Sequence, residues 1–151
     1  MSRSGLNREL TYLQGELLRM GTLVEELIYK AVKSMINKDQ AMAQEVIDAD
    51  DIVDQMMLDI ELKCLSVIAR QQPMAKDLRS IGTILRIITD LERIADHTED
   101  IAEITINLMD QPYMKPLIDI PRMGDICRDM LKRSIKSYIN EDTELAWSLI
   151  E

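Results

Sequence analysis

Pro73 separates two long segments of helical periodicity and so constrains this chain to fold back on itself. From Gln40 to Arg70, apolar residues recur every three or four positions at Val46, Ala49, Val53, Met56 or Met57, Ile60, Cys64 and Val67. From Met74 to Leu108 they recur at Leu78, Ile81, Leu85, Ile88, Leu91 and Ala95. Each pattern is that of a helix with one buried face. Pro73 must end the first, because the residue before a proline leaves the right-handed helical region and the ring donates no hydrogen bond. With so short a connection, the two helices are antiparallel neighbours.

A third helix precedes them. Leu6, Leu10, Leu13, Leu17, Met20, Val24, Leu27 and Ala31 alternate spacings of four and three, a seam that buries against partner helices. It is expected to end near Asn37, with Asp39 capping the next helix. Five glycines and four prolines leave little turn chemistry for a sheet. The expectation is an all-α, up-down-up three-helix bundle with helices about 45–50 Å long at 1.5 Å per residue. Pro112, Pro116 and Pro121 then mark a break.

The sequence beyond that break repeats its beginning. Arg122-Met123-Gly124 through Glu151 aligns without a gap on Arg19-Met20-Gly21 through Asp48. Identities include Lys33 with Lys136, Ser34 with Ser137, Ile36 with Ile139, Asn37 with Asn140, Asp39 with Asp142 and Ala43 with Ala146. Residues 1–111 are therefore expected to form one bundle. Residues 112–151 are expected to form the first helix and truncated start of a second repeat. A half-repeat cannot cover its own apolar face within one chain, so a homo-oligomer is expected.

The net charge is −9, from 27 acidic and 18 basic residues. That balance argues against nucleic acid as a partner and favours cations. No stretch approaches the roughly 18 apolar residues of a membrane span, so a cytoplasmic chain, peripheral to a membrane at most, is expected. Cys64 and Cys127 are isolated and read as ordinary thiols.

Some of the acids form a pattern. In a hairpin turning at Pro73, Asp50 is level with Asp96, and Asp54 with Glu92. Each pair is spaced i, i+4 and so stacks on one helix face. Two facing pairs of like charges repel, and a cation between them removes the repulsion. Carboxylates alone favour hard ions such as Mg, Ca, Mn or ferric Fe, with Zn less suited. Arg79, Arg86 and Arg93 recur at sevens and offer an alternative neutralisation by surface ion pairs.

Arg70-Gln71-Gln72-Pro73-Met74-Ala75-Lys76-Asp77-Leu78-Arg79, then Asp90-Leu91-Glu92-Arg93-Ile94-Ala95-Asp96-His97 and Ile101-Ala102-Glu103, resemble the PhoU family of phosphate-transport accessory proteins. So does Asp50-Asp51-Ile52-Val53-Asp54. The resemblance spans the chain, including the repeat. It implies three-helix repeats carrying E/D-x-x-x-D metal motifs, which here fall on Glu92 to Asp96 and Asp50 to Asp54. Ala95 replaces a usual glycine. Asp100 replaces a frequent asparagine, creating a further DxxxD from Asp96 and a possible additional metal ligand. The resemblance also implies a cytoplasmic negative regulator of phosphate uptake and phosphate-starvation signalling. Its implied partners are the ATP-binding subunit of a phosphate ABC transporter and, in bacteria, a sensor histidine kinase.

His97, the sole histidine, lies about 100° round the helix from Asp96 and reads as a surface or interface residue. The methionines read as core filler, and Asp77 as a favourable charge at a helix start. No nucleophile–base pair, glycine-rich phosphate loop or zinc motif is present, so catalysis is not expected. The rival readings are a structural oligomerisation module without metal and, further off, a metal-dependent hydrolase.

Overall fold

One helix, α1 (Arg3–Asn37), is the spine of the molecule, and every other long helix packs on it. The chain continues through α2 (Gln40–Asp48), α3 (Asp50–Gln71), α4 (Ala75–Asn107), α5 (Asp119–Ile139) and α6 (Thr143–Trp147). This computed structural model describes residues 3–150, and no strand occurs among them. The repeat pairing of Glu151 with Asp48 lies outside the described residues.

The seam of α1 buries as its spacing requires. Leu10, Leu13, Leu17, Met20, Val24, Leu27 and Ala31 are all in the core, and Leu6 packs at its edge. Val46, Ala49, Val53, Met56, Ile60, Cys64 and Val67 face them from α2 and α3. From α4 come Ile81, Ile84, Ile88, Leu91, Ala95 and Ala102. Leu85 is half-buried beside this stripe. Leu78, expected in the core, is 43% exposed: it sits in the first turn of α4, before the stripe settles on the α1 side.

The hairpin closes as expected. Gln72 adopts the left-handed region (φ 46°) and its amide donates to Ile68 O at 3.1 Å, an αL termination of α3. Extended Met74 then precedes α4.

The single second helix expected over 40–70 is instead two, joined at Ala49. Nothing in local propensity breaks a helix at alanine. The break separates Asp48, at the unfavourable C-terminal end of α2, from Asp50 and Asp51, which gain the positive N-terminal end of α3.

Pro121, expected in the break, lies inside the first turn of α5, where its missing N–H costs no hydrogen bond. The break itself is residues 108–118. Tyr113 Oη ties it down by donating to Met35 O at 2.5 Å.

The tail corrects a further expectation. Gly124, Leu131 and Ile135 of α5 are buried against the bundle, so the tail does cover part of its apolar face within the chain. Tyr138 Oη lies 2.7 Å from Ser80 Oγ, and Lys76 pairs with Glu141 at 3.0 Å. The turn after α5 also copies the turn after α1. Lys38 (φ 48°) and Glu141 (φ 53°) are both left-handed. The amides of Asp39 and Asp142 donate to Ser34 O and Ser137 O, each at 2.9 Å. Their carboxylates then cap the next helix, accepting from Met42 N at 3.1 Å and Leu145 N at 3.0 Å.

Candidate metal centre

The Ala49 break sets the site's geometry. By restarting the helix it puts Asp50, Asp51 and Asp54 in and just after the first turn of α3. Antiparallel α4 carries Glu92, Asp96 and Glu99 past them. One carboxylate oxygen each from Asp50, Asp96 and Glu99 can be chosen so that all lie within 4.8 Å of one another, and the same holds for Asp50, Asp51 and Asp54. Asp50 belongs to both groups.

The electrostatics are those of acids held together against repulsion. Burial raises the Asp50 pKa above its ordinary value, and the neighbouring carboxylates of Asp54 and Asp96 raise it further. Glu92 is pushed up to about 7, first by burial, then by the neighbouring carboxylates of Asp96, Asp54 and Asp50. Glu99 is raised by burial and then by Asp50, Glu103, Asp96 and Asp100. Among the described residues, Arg79, Arg86 and Arg93 form no ion pair with these acids. The alternative neutralisation by surface arginines is therefore absent.

Asp50 Oδ1 is buried without a hydrogen-bond partner. A buried, unpartnered carboxylate oxygen is costly, and a cation would satisfy it. Two oxygens on one ion can be at most twice a metal–oxygen distance apart, about 4.2 Å for Mg and up to about 5 Å for Ca. Oxygens within 4.8 Å of one another satisfy that bound for Ca, and the all-oxygen donor set suits a hard cation.

Carboxylate oxygens of Asp50 and Asp96 come within 4.8 Å of each other, and the charge of Asp54 adds to the upward push on Glu92. Glu92 and Asp100 belong to neither close group. Asp100 stands beside His97, whose Nδ1 is 3.8 Å from Asp100 Oδ2 with both side chains exposed. Sequence reasoning missed Glu99 and Asp51. Glu99 was signalled by its i, i+3 relation to Asp96. Asp51 follows from the restart at Ala49, which the sequence does not announce.

Residues 17–105 match the PhoU domain. The chain belongs to the PhoU family. It is 40% identical over 146 residues to the phosphate-specific transport system accessory protein PhoU homolog of Aquifex aeolicus. It is 37% identical over 150 residues to the protein of the same name from Clostridium acetobutylicum, and 34% over 146 to that of Pseudomonas putida. These alignments cover 97%, 99% and 96% of this chain but 66%, 68% and 57% of the relatives. The crystal structure of PhoU from Pseudomonas aeruginosa superposes with a TM-score of 0.89 at 34% identity, covering 94% of this chain and 68% of that one. The phosphate transport system regulatory protein PhoU from Streptococcus pneumoniae gives 0.87 at 29%, covering 95% and 68%. The all-helical bundle is thus a PhoU fold.

Proposed function

We propose that this PhoU-family chain is a cytoplasmic, non-catalytic, metal-binding adaptor that restrains phosphate transport and phosphate-starvation signalling. It acts by contact with the ATP-binding subunit of a phosphate ABC transporter and with a sensor histidine kinase. Its similarity to phosphate-specific transport system accessory proteins supports the transport setting. Among the described residues no helix is long and apolar enough to cross a membrane.

A surface for partner contact is at hand. Leu58, Leu62 and Leu65 of α3 are 45%, 56% and 51% exposed, and their spacing sets them on one helix face. Such a stripe is costly to leave in water and suits a protein partner.

The observation that carries the metal reading is Asp50 Oδ1, buried and unpartnered beside Asp96 and Glu99. Asp50, Asp96 and Glu99 would hold an ion, Asp50 with Asp51 and Asp54 offers the second grouping, and Glu92 would answer the charge electrostatically. Asp100 extends the acidic patch. A bound cation (Fe, Mn, Mg, Zn or Ca) would supply the positive charge that the α3–α4 hairpin lacks. Its occupancy would thereby fix the face presented to the partner.

The repeat reading belongs to the same proposal: residues 1–111 are one unit and 112–151 begin another. The matched turns at Lys38 and Glu141 support it.

Calorimetric titration with Mn²⁺ tests the metal reading. The wild type should give saturable heat and a rise in Tm. Asp50→Asn with Asp96→Asn, which preserves shape and removes charge, should give neither. Equal heats for the two proteins would leave the structural-module reading standing instead.

A further inference from the structure

The helices α1 and α5 are repeat counterparts, and they pack on each other in opposite directions. Gly21 of α1 faces Ile135 of α5, and Gly124 of α5 faces Val32 of α1. At the constant offset of the repeat, Gly21 corresponds to Gly124 and Val32 to Ile135. Each helix thus offers a glycine at the same repeat position to the corresponding β-branched residue of the other, as in the isologous contact of a twofold dimer. A Cβ on Gly124 would lie 2.9 Å from Val32 Cγ2, and one on Gly21 would overlap Ile135 Cδ1. The glycines let the two backbones approach.

Near the centre of an isologous contact a residue meets its own counterpart. Here the counterparts are Glu25 and Arg128, and they have diverged to opposite charge. Arg128 Nη2 lies 3.6 Å from Glu25 Oε1, with side chains 32% and 24% exposed. The guanidinium also lies 4.9 Å over the Tyr29 ring, and its Nε is buried without a hydrogen-bond partner. Asp125, 4.0 Å away on α5 itself, is 80% exposed and a weaker competitor. Had the repeats stayed identical here, two like charges would confront each other in a partly dry contact, which opposes association.

We propose that the Glu25–Arg128 pair at the pseudo-twofold centre is the specificity lock that seats α5 on α1 in this register. The proposal rests on the repeat reading and adds a role to two residues outside the carboxylate cluster. Opposite charges at the centre favour one repeat against the other, while like charges disfavour a repeat against itself.

Hydrogen exchange on the full chain tests it, with the α3–α4 amides as an internal control for folding. Arg128→Glu and Glu25→Arg should each make α5 amides exchange at least about tenfold faster. The exchanged pair, Glu25→Arg with Arg128→Glu, should return α5 to within about twofold of wild type. Gly124→Leu should also loosen α5, by wedging the contact at Val32. If Gly124→Leu leaves α5 protected, the repeat pairing itself is wrong. If it loosens α5 while the single charge variants do not, or if the exchanged pair fails to recover, the pairing stands and the lock is overturned.

Discussion

Glu92 shows how a single carboxyl couples this fold to pH and to metal. Its pKa rises from an ordinary 4.5 to about 7 in the folded chain. Between those values the folded state binds more protons than the unfolded state, so stability falls as pH rises through that window. Asp50 and Glu99 are raised too and contribute with the same sign. In chelator, the wild-type Tm should therefore decline from pH 4.5 to pH 7.5, and Glu92→Gln should decline less and exceed wild type at the upper end. Thermal melts across that range check this, and a flat wild-type profile would contradict it. Binding of Mn²⁺ should tighten with rising pH through about 7, because loss of the Glu92 proton adds negative charge beside the ion and because protons on Asp50 and Glu99 compete with the cation for their oxygens.

Elements were legible where periodicity alone decides them. Asp50 meets Asp96 because both are equally distant from Pro73, and a helix keeps its 3.6-residue period whatever packs on it. That argument places the pairs without knowledge of the core. It fails at Ala49, because alanine carries no local signal for a break. The lost information is the rotation of α3's first turn, which is why Asp51 was missed. On α4 the period was right but the stripe's origin was not, so Ile84 is buried and Leu78 is not. The difference is measurable. Ile84→Ala should cost about 2–5 kcal/mol of stability in urea melts, and Leu78→Ala within about 0.5 kcal/mol. The copied caps should differ likewise. Asp39→Ala should cost about 1 kcal/mol, because α2 buries Ala43 and Val46. Asp142→Ala should leave the global transition unmoved, because α6 buries nothing among its residues.

At the scale of the whole molecule, the repeat explains an apolar groove of about 760 Å³ between α4 and α5, floored by α1. Its α5 wall includes Met123, Cys127, Met130 and Ser134, the repeat counterparts of Met20, Val24, Leu27 and Ala31. On α1 those four residues are in the core, covered by α3 and α4. On α5 the same seam is open, with Met123 at 61% and Met130 at 43% exposed. The inward side of α5 is satisfied by Leu131 and Ile135, so the helix stays docked while half of its seam faces water. A seam built to be covered lowers its free energy by recruiting a second apolar surface. The 151-residue chain on its own should therefore self-associate, with a sedimentation coefficient that rises with concentration up to about 100 μM. Met123→Glu with Met130→Glu should shift that equilibrium to monomer and leave the helical signal unchanged, since neither side chain belongs to the core. A wild-type chain that stays monomeric over the whole range would show that the groove tolerates water, and that pairing of copies plays no part in closing the seam.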